Sequence, residues 1–117
     1  MFRNSSAWEN EIIQAFTTLI PYLPHILEEE ITLGITDRMR YIHFVSADNM
    51  ASAIKEGDII SPDDAVYEAL RLGTPVVKTA PPELYGPSTK AIGIPVKDIN
   101  GRVIGGLSII RSSQNMN

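Results

Sequence analysis

The stretch from Lys78 to Ile110 constrains this chain more than any other. It alternates through Lys90-Ala91-Ile92-Gly93-Ile94-Pro95-Val96-Lys97, turns at Asp98-Ile99-Asn100-Gly101-Arg102, and runs on through Val103-Ile104-Gly105-Gly106-Leu107-Ser108-Ile109-Ile110. Asn100-Gly101 is a strong hairpin signal, because both residues tolerate the positive φ that a type I′ turn requires. Two long strands joined in this way commit the chain to an antiparallel sheet. Pro95 cannot donate a ladder bond, so it is expected at a sheet edge or a bulge. Ahead of this hairpin, Pro75 to Ala80 reads as a further strand. Pro81-Pro82-Glu83-Leu84-Tyr85-Gly86-Pro87 reads as a stiff loop.

The upstream part supplies two more strands and the helices. Ser6-Ala7-Trp8-Glu9 is a capping box, a hydroxyl at the N-cap with a carboxylate three residues on. The helix it opens is expected to run to about Ile20, with Trp8, Ile12, Phe16, Leu19 and Ile20 along one stripe. That stripe suits either packing on the sheet or a dimer contact. Pro21 and Pro24 interrupt the pattern, and a short helical piece with Ile26 and Leu27 is expected beyond them. Ile31, Leu33 and Ile35 alternate with Thr32, Gly34 and Thr36, which predicts a half-buried strand. Tyr41 to Val45 pairs with it as a hairpin, and the period of two puts Tyr41, His43 and Val45 on one face. A short helical turn is expected around Met50 to Ile54. Ser61-Pro62-Asp63-Asp64 then opens a helix, with Ser61 as N-cap, Pro62 at the first helical position and acids in the first turn. Ala65, Val66, Ala69, Leu70 and Leu72 are its apolar residues, and Gly73 is its C-cap. The expected architecture is a single α+β domain over 1–117. It has an N-terminal helix (about 6–20) and a five-stranded antiparallel sheet (about 31–111), with short connecting helices over one face.

Composition removes several function classes. A chain of 117 residues fits one domain, and 44% hydrophobic with 21% charged residues is ordinary globular usage. The absence of cysteine rules out disulfides, thiolate metal sites and a cysteine nucleophile. The opening residues lack the apolar core of a secretory signal, and no apolar run is long enough to span a bilayer. Both points fit a cytoplasmic protein. A net charge of −4 with dispersed Lys and Arg argues against nucleic-acid binding. The chain holds no Gly-x-Ser-x-Gly, no phosphate-binding loop and no HExxH. Ser61, Ser88 and Ser108 have no evident histidine–acid partners, and Asp63 and Asp64 are accounted for by a helix N-terminus. A non-enzymatic role is therefore expected, with a small enzyme as the remote option.

Several of these segments together resemble a PAS-like sensor domain. They are similar, more narrowly, to the N-terminal sensory domains of cytosolic bacterial methyl-accepting chemotaxis proteins. The resemblance rests on Ile35-Thr36-Asp37-Arg38 before Tyr41-Ile42, and on Gly57-Asp58 ahead of the Ala65–Leu70 helix. It continues through Val76-Val77-Lys78, Tyr85-Gly86, Lys90 to Val96 and Asp98 to Gly105. It covers about residues 8 to 110. It implies a sensory module that binds a small molecule and relays a conformational change to a signalling partner. One departure is that no long coiled-coil helix follows Arg111 within the sequence.

The expected ligand-contacting residues are Lys78, Tyr85, Lys90, Tyr41, His43 and Gly105. Lys78 and Lys90 border the Pro-rich loop that carries Tyr85, so two ammonium groups and a hydroxyl are expected to converge on a small anion. Gly105-Gly106 leaves room on its strand, either for a ligand or for close packing. The sequence names no cofactor, and a lone His43 is expected not to hold haem. A homodimer through the N-terminal helix is the expected assembly. A dimerisation module that binds nothing is the alternative function.

Overall fold

The computed structural model describes residues 5–23, 31–45, 54–79 and 89–112, with side chains from residue 11 to 111. The capping box, the Ile26–Leu27 piece, residues 50–53 of the short helical turn, and the loop with Tyr85 lie outside the residues or side chains so described. Helix α1 spans Ser5–Leu19 and leads into a single 3-10 turn, Ile20–Tyr22, with Pro21 at its start. Strands β1 (Ile31–Thr36) and β2 (Tyr41–Val45) form the first hairpin. Helix α2 (Ala65–Leu72) follows, then β3 (Val76–Thr79), β4 (Thr89–Lys97) and β5 (Val103–Ser112). The five strands form one antiparallel sheet in the order β2-β1-β5-β4-β3.

Helices cover both faces of this sheet, not one. On the first face Ala65, Val66 and Leu70 of α2 pack with Tyr41, Ile54, Ile60, Ala91 and Ile110, and with Phe44 and Val76 at the margin. On the second face Ile13, Phe16, Ile20 and Leu23 pack on Ile31, Leu33 and Ile35, with Val45, Leu107 and Ile109 beside them. The cause lies in the strands. The two sides of β1 and β5 are both free of charge along Ile31–Thr36 and Val103–Ile110, so neither face can be left to water. Each large aliphatic side chain fully buried this way contributes about 1.5–3 kcal/mol. Of the expected stripe, Phe16 and Ile20 lie in this core, whereas Leu19 is 44% exposed and Ile13, outside the stripe, is buried.

The β4–β5 connection differs from the expected turn. The Gly101 amide donates to the Asp98 carbonyl, and the Asp98 amide to the Arg102 carbonyl. The turn is therefore centred on Ile99 and Asn100, and Gly101 follows it at φ +83. This is a three-residue hairpin loop with glycine in the left-handed position, not a two-residue type I′ turn. The Asp98 carboxylate decides between them, because it accepts from the amides of Asn100 and Arg102 at 2.9 and 3.0 Å. Gly73 caps α2 as expected, at φ +74 with its amide on the Ala69 carbonyl. Pro95 lies beyond Gly93, the last β4 residue paired with β3, so that part of β4 is a sheet edge.

Candidate functional site

The α2 face of the sheet carries three rows of side chains across the strands, fixed by the register. The middle row is Phe44, Gly34, Ser108, Gly93 and Val76. On one side of it lie Tyr41, Thr36, Gly106 and Pro95, and on the other Thr32, Ile110, Ala91 and Lys78. Three glycines let other groups lie directly on the sheet. A Cβ at Gly34 would meet the ring of Phe44 at 2.8 Å, and one at Gly106 would meet a Val66 methyl at 2.6 Å. At Gly93 it would meet the backbone of Ala65 and Val66 at 2.5–2.6 Å, so the start of α2 rests on bare strand.

Polar groups are enclosed within this apolar layer. Asp64 occupies the N-cap position of α2 with extended backbone (φ −83, ψ 146), yet its side chain makes no capping bond. Instead its carboxyl accepts a hydrogen bond from the Tyr41 hydroxyl, and both residues are almost wholly buried. The hydroxyls of Thr36, the cross-strand partner of Tyr41, and of Ser108, in the middle row, are buried on the same face with no hydrogen-bond partner among the described residues. A buried hydroxyl left unpaired costs about 1–3 kcal/mol. Two such groups under one helix mark the place where this fold departs from packing alone.

The expected ligand residues are distributed over both faces. Tyr41 is in the cluster, edge-on to Phe44 at 5.6 Å between ring centroids. His43 is not beside it. A register shift in the β1–β2 ladder pairs Thr36 with Tyr41 but Ile35 with His43, so the two residues point to opposite faces. Ile42 is the extra residue of this bulge. The His43 Nδ1 lies 3.0 Å from a carboxylate oxygen of Glu56. Lys78 and Lys90 are likewise separated. Lys78 pairs with Ala91 on the α2 face, whereas Lys90 pairs with Thr79 on the α1 face. The two ammonium groups therefore do not converge. The Lys78 ammonium is 3.5 Å from Glu68 of α2. Tyr85 lies outside the described residues. Gly105 does not open a space: a Cβ there would stand 2.1 Å from the Thr36 carbonyl oxygen.

Asp64, Thr36 and Ser108 were not among the expected residues. For Asp64 a signal existed. Two acids stand before α2 where one N-cap suffices. Ser108 and Thr36 are hydroxyls on the alternating face that also carries Ile110 and Gly34, and an alternation rule reads such residues as neutral.

No protein-family model matches the chain. It is 33% identical over 99 residues, 85% of its length, to the sensory transducer protein YfmS of Bacillus subtilis (strain 168). The chain spans about a third of that relative, 35% of its length. Among solved structures, the GAF domain of A. aeolicus nlh2 in an inactive state superposes with a TM-score of 0.59 at 14% identity. That match covers 85% of this chain and 67% of the other. The fold is GAF-like. A type II free methionine-R-sulfoxide reductase from Thermoplasma acidophilum superposes with a TM-score of 0.63 at 17% identity. It covers 91% of this chain and 79% of that one. The C-terminal domain of a Vibrio cholerae transcriptional regulator gives 0.62 at 12% identity, over 95% and 86%. The α+β antiparallel-sheet architecture agrees with the expected one, and the PAS-like resemblance holds at that coarse level. The same fold carries a reductase, so architecture alone does not decide between sensing and catalysis.

Proposed function

We propose that this domain is a non-enzymatic sensory module of a cytoplasmic signalling protein of the chemotaxis type. In this reading a small molecule binds on the α2 face and changes how α2 sits on the sheet. The observation that carries it is the enclosed polar cluster of Tyr41, Asp64, Thr36 and Ser108. A ligand that inserts beneath the start of α2 gains the hydrogen bonds that Thr36 and Ser108 lack. It also displaces the helix that those glycines seat, which couples occupancy to shape. Tyr41 would then touch the ligand, and Lys78, held at the rim by Glu68, would favour an anionic one. His43 and Lys90, on the other side, have no part in this site. The likeness in sequence to a sensory transducer supports the signalling role. Sulfoxide reduction by thiol chemistry has no support, because the sequence contains no cysteine.

The test is a thermal-shift screen of carboxylates, amino acids and phosphates on the wild type, Thr36→Val and Ser108→Ala. A ligand of this site raises the wild-type melting temperature and does so less in both variants. A compound that stabilises all three equally binds elsewhere, and the reading of the cluster fails.

The second reading is a dimerisation module that binds nothing. What favours it is that the glycine spaces on the α2 face are filled by the protein's own atoms. Both readings include a homodimer through α1. Phe16 belongs to the core on that side, so the contact falls to outward groups such as Leu19 and Tyr22, the latter 61% exposed. Leu19→Glu with Tyr22→Glu should give a folded monomer by sedimentation. A wild type that already sediments as a monomer at high concentration removes the proposal.

A further inference from the structure

We infer that the outer side of α2 carries a binding site for a small organic dianion, formed by Arg38, Tyr67, Leu70 and Arg71. These four residues line a cleft of about 220 Å³. Tyr67 and Arg71 are four apart on α2 and so share a face of the helix. Glu68, three residues before Arg71, is 3.5 Å from the Lys78 ammonium of β3. The cleft opens toward the β1–β2 turn, where Arg38 sits. This site is separate from the polar cluster beneath α2 and does not depend on a ligand binding there.

The charges around Arg38 are already committed. Asp37 accepts from the amides of Met39 and Arg40 at 2.7 Å, which fixes the turn. Arg40 donates to the Gly57 carbonyl at 2.9 Å, and Arg102 lies 3.8 Å from Asp98. Arg38 and Arg71 have no hydrogen-bond or ion-pair partner among the described residues, and they share one cleft. A position in the last turn of α2 explains a cation at Arg71. It does not explain Arg38, which comes from a different element. Two unneutralised guanidinium groups facing one space repel each other unless an anion joins them. In a chain of net charge −4, that pairing stands out.

The chemistry of the lining defines the ligand. Each guanidinium offers a planar fork of donors that fits a carboxylate or a phosphoryl group. The Tyr67 hydroxyl can donate or accept, and Leu70 with the Tyr67 ring supplies an apolar wall for a short carbon chain. The volume is below the roughly 300–1,000 Å³ of drug-sized pockets, so the ligand is small. A short dicarboxylate and a phosphate share this oxyanion chemistry.

The experiment uses the isotope-labelled 117-residue chain, titrated separately with succinate, acetate and inorganic phosphate. The Arg Nε–H resonances are followed by NMR. Saturable shifts of Arg38 and Arg71 are expected with succinate, and binding of acetate should be weaker by about tenfold or more, since it engages one fork only. If phosphate binds more tightly than succinate, the site is one for phosphoryl groups. Arg38→Gln and Arg71→Gln should each weaken binding about tenfold, with backbone spectra otherwise unchanged. Lys97→Gln, which removes the same charge elsewhere, should leave it unaltered. The inference is overturned if neither dianion gives a saturable shift. It is also overturned if Lys97→Gln weakens binding as much as the arginine changes do.

Discussion

Replacing Gly93 with alanine should release the start of α2 from the sheet. The added methyl would stand 2.5 Å from the Ala65 carbonyl carbon and oxygen and 2.6 Å from the Val66 Cα. These are backbone atoms, so no side-chain rotation can make room. Overpacking of a core commonly costs about 1–3 kcal/mol, and an immovable neighbour puts this case at the upper end or beyond. Against a total stability of roughly 5–15 kcal/mol, that is a large fraction. Gly101→Ala is the control. Gly101 has nothing within 4 Å of a new Cβ and carries only its positive φ, a cost of about 1–2 kcal/mol. Urea denaturation measures both. Hydrogen exchange adds the decisive readout: amides of α2 should lose protection in Gly93→Ala and keep it in Gly101→Ala. Equal protection in the two variants would mean that α2 does not rest on Gly93.

Tyr41→Phe should be the next most damaging change, although it removes a single oxygen. It withdraws the hydroxyl that donates to the buried Asp64 carboxyl, an expected loss of about 1–3 kcal/mol. Asp64→Ala should cost about as much, because it removes the acceptor of the same buried bond. Since the two residues share one bond, the double variant should be more stable than the sum of the single losses implies. The expected coupling is about 0.5–3 kcal/mol. Strictly additive losses would falsify the pairing, even if each change destabilises.

Much of the fold was legible because it rests on local chemistry. Ile31 to Thr36 and Tyr41 to Val45 read as strands, and their limits agree with those observed, although Ile31–Thr36 is buried throughout and not half-buried as expected. Gly73 announces the end of α2 because few other residues adopt its backbone conformation. What the sequence could not reveal depends on single-residue irregularities and on register. The bulge at Ile42 turns Tyr41 and His43 to opposite faces, and a period of two cannot register an extra residue. The separation of Lys78 from Lys90 has the same origin: neighbouring strands bring them near, and parity sends them apart. Ser61 and Pro62 have the residue types of a helix start, but the helix begins at Ala65. The Asp64 amide bonds to the Ser61 carbonyl in a preceding turn, which aims the Asp64 carboxyl at Tyr41. That partner is 23 residues away in sequence, beyond the reach of any local rule.

The position of β5 has a mechanical consequence. Ser108 and Ile110 project toward α2, while Leu107 and Ile109, the intervening residues, project toward α1. The two helices therefore share one backbone as their common floor. A tilt or slide of that strand driven from the α2 side would reach the α1 side within a single peptide unit. Such a displacement would cross the sheet through its thickness instead of travelling around its rim. In such an arrangement the stiffness of one central strand sets the gain between the two helices. Loosening β5 would then mute a response without touching either end of it.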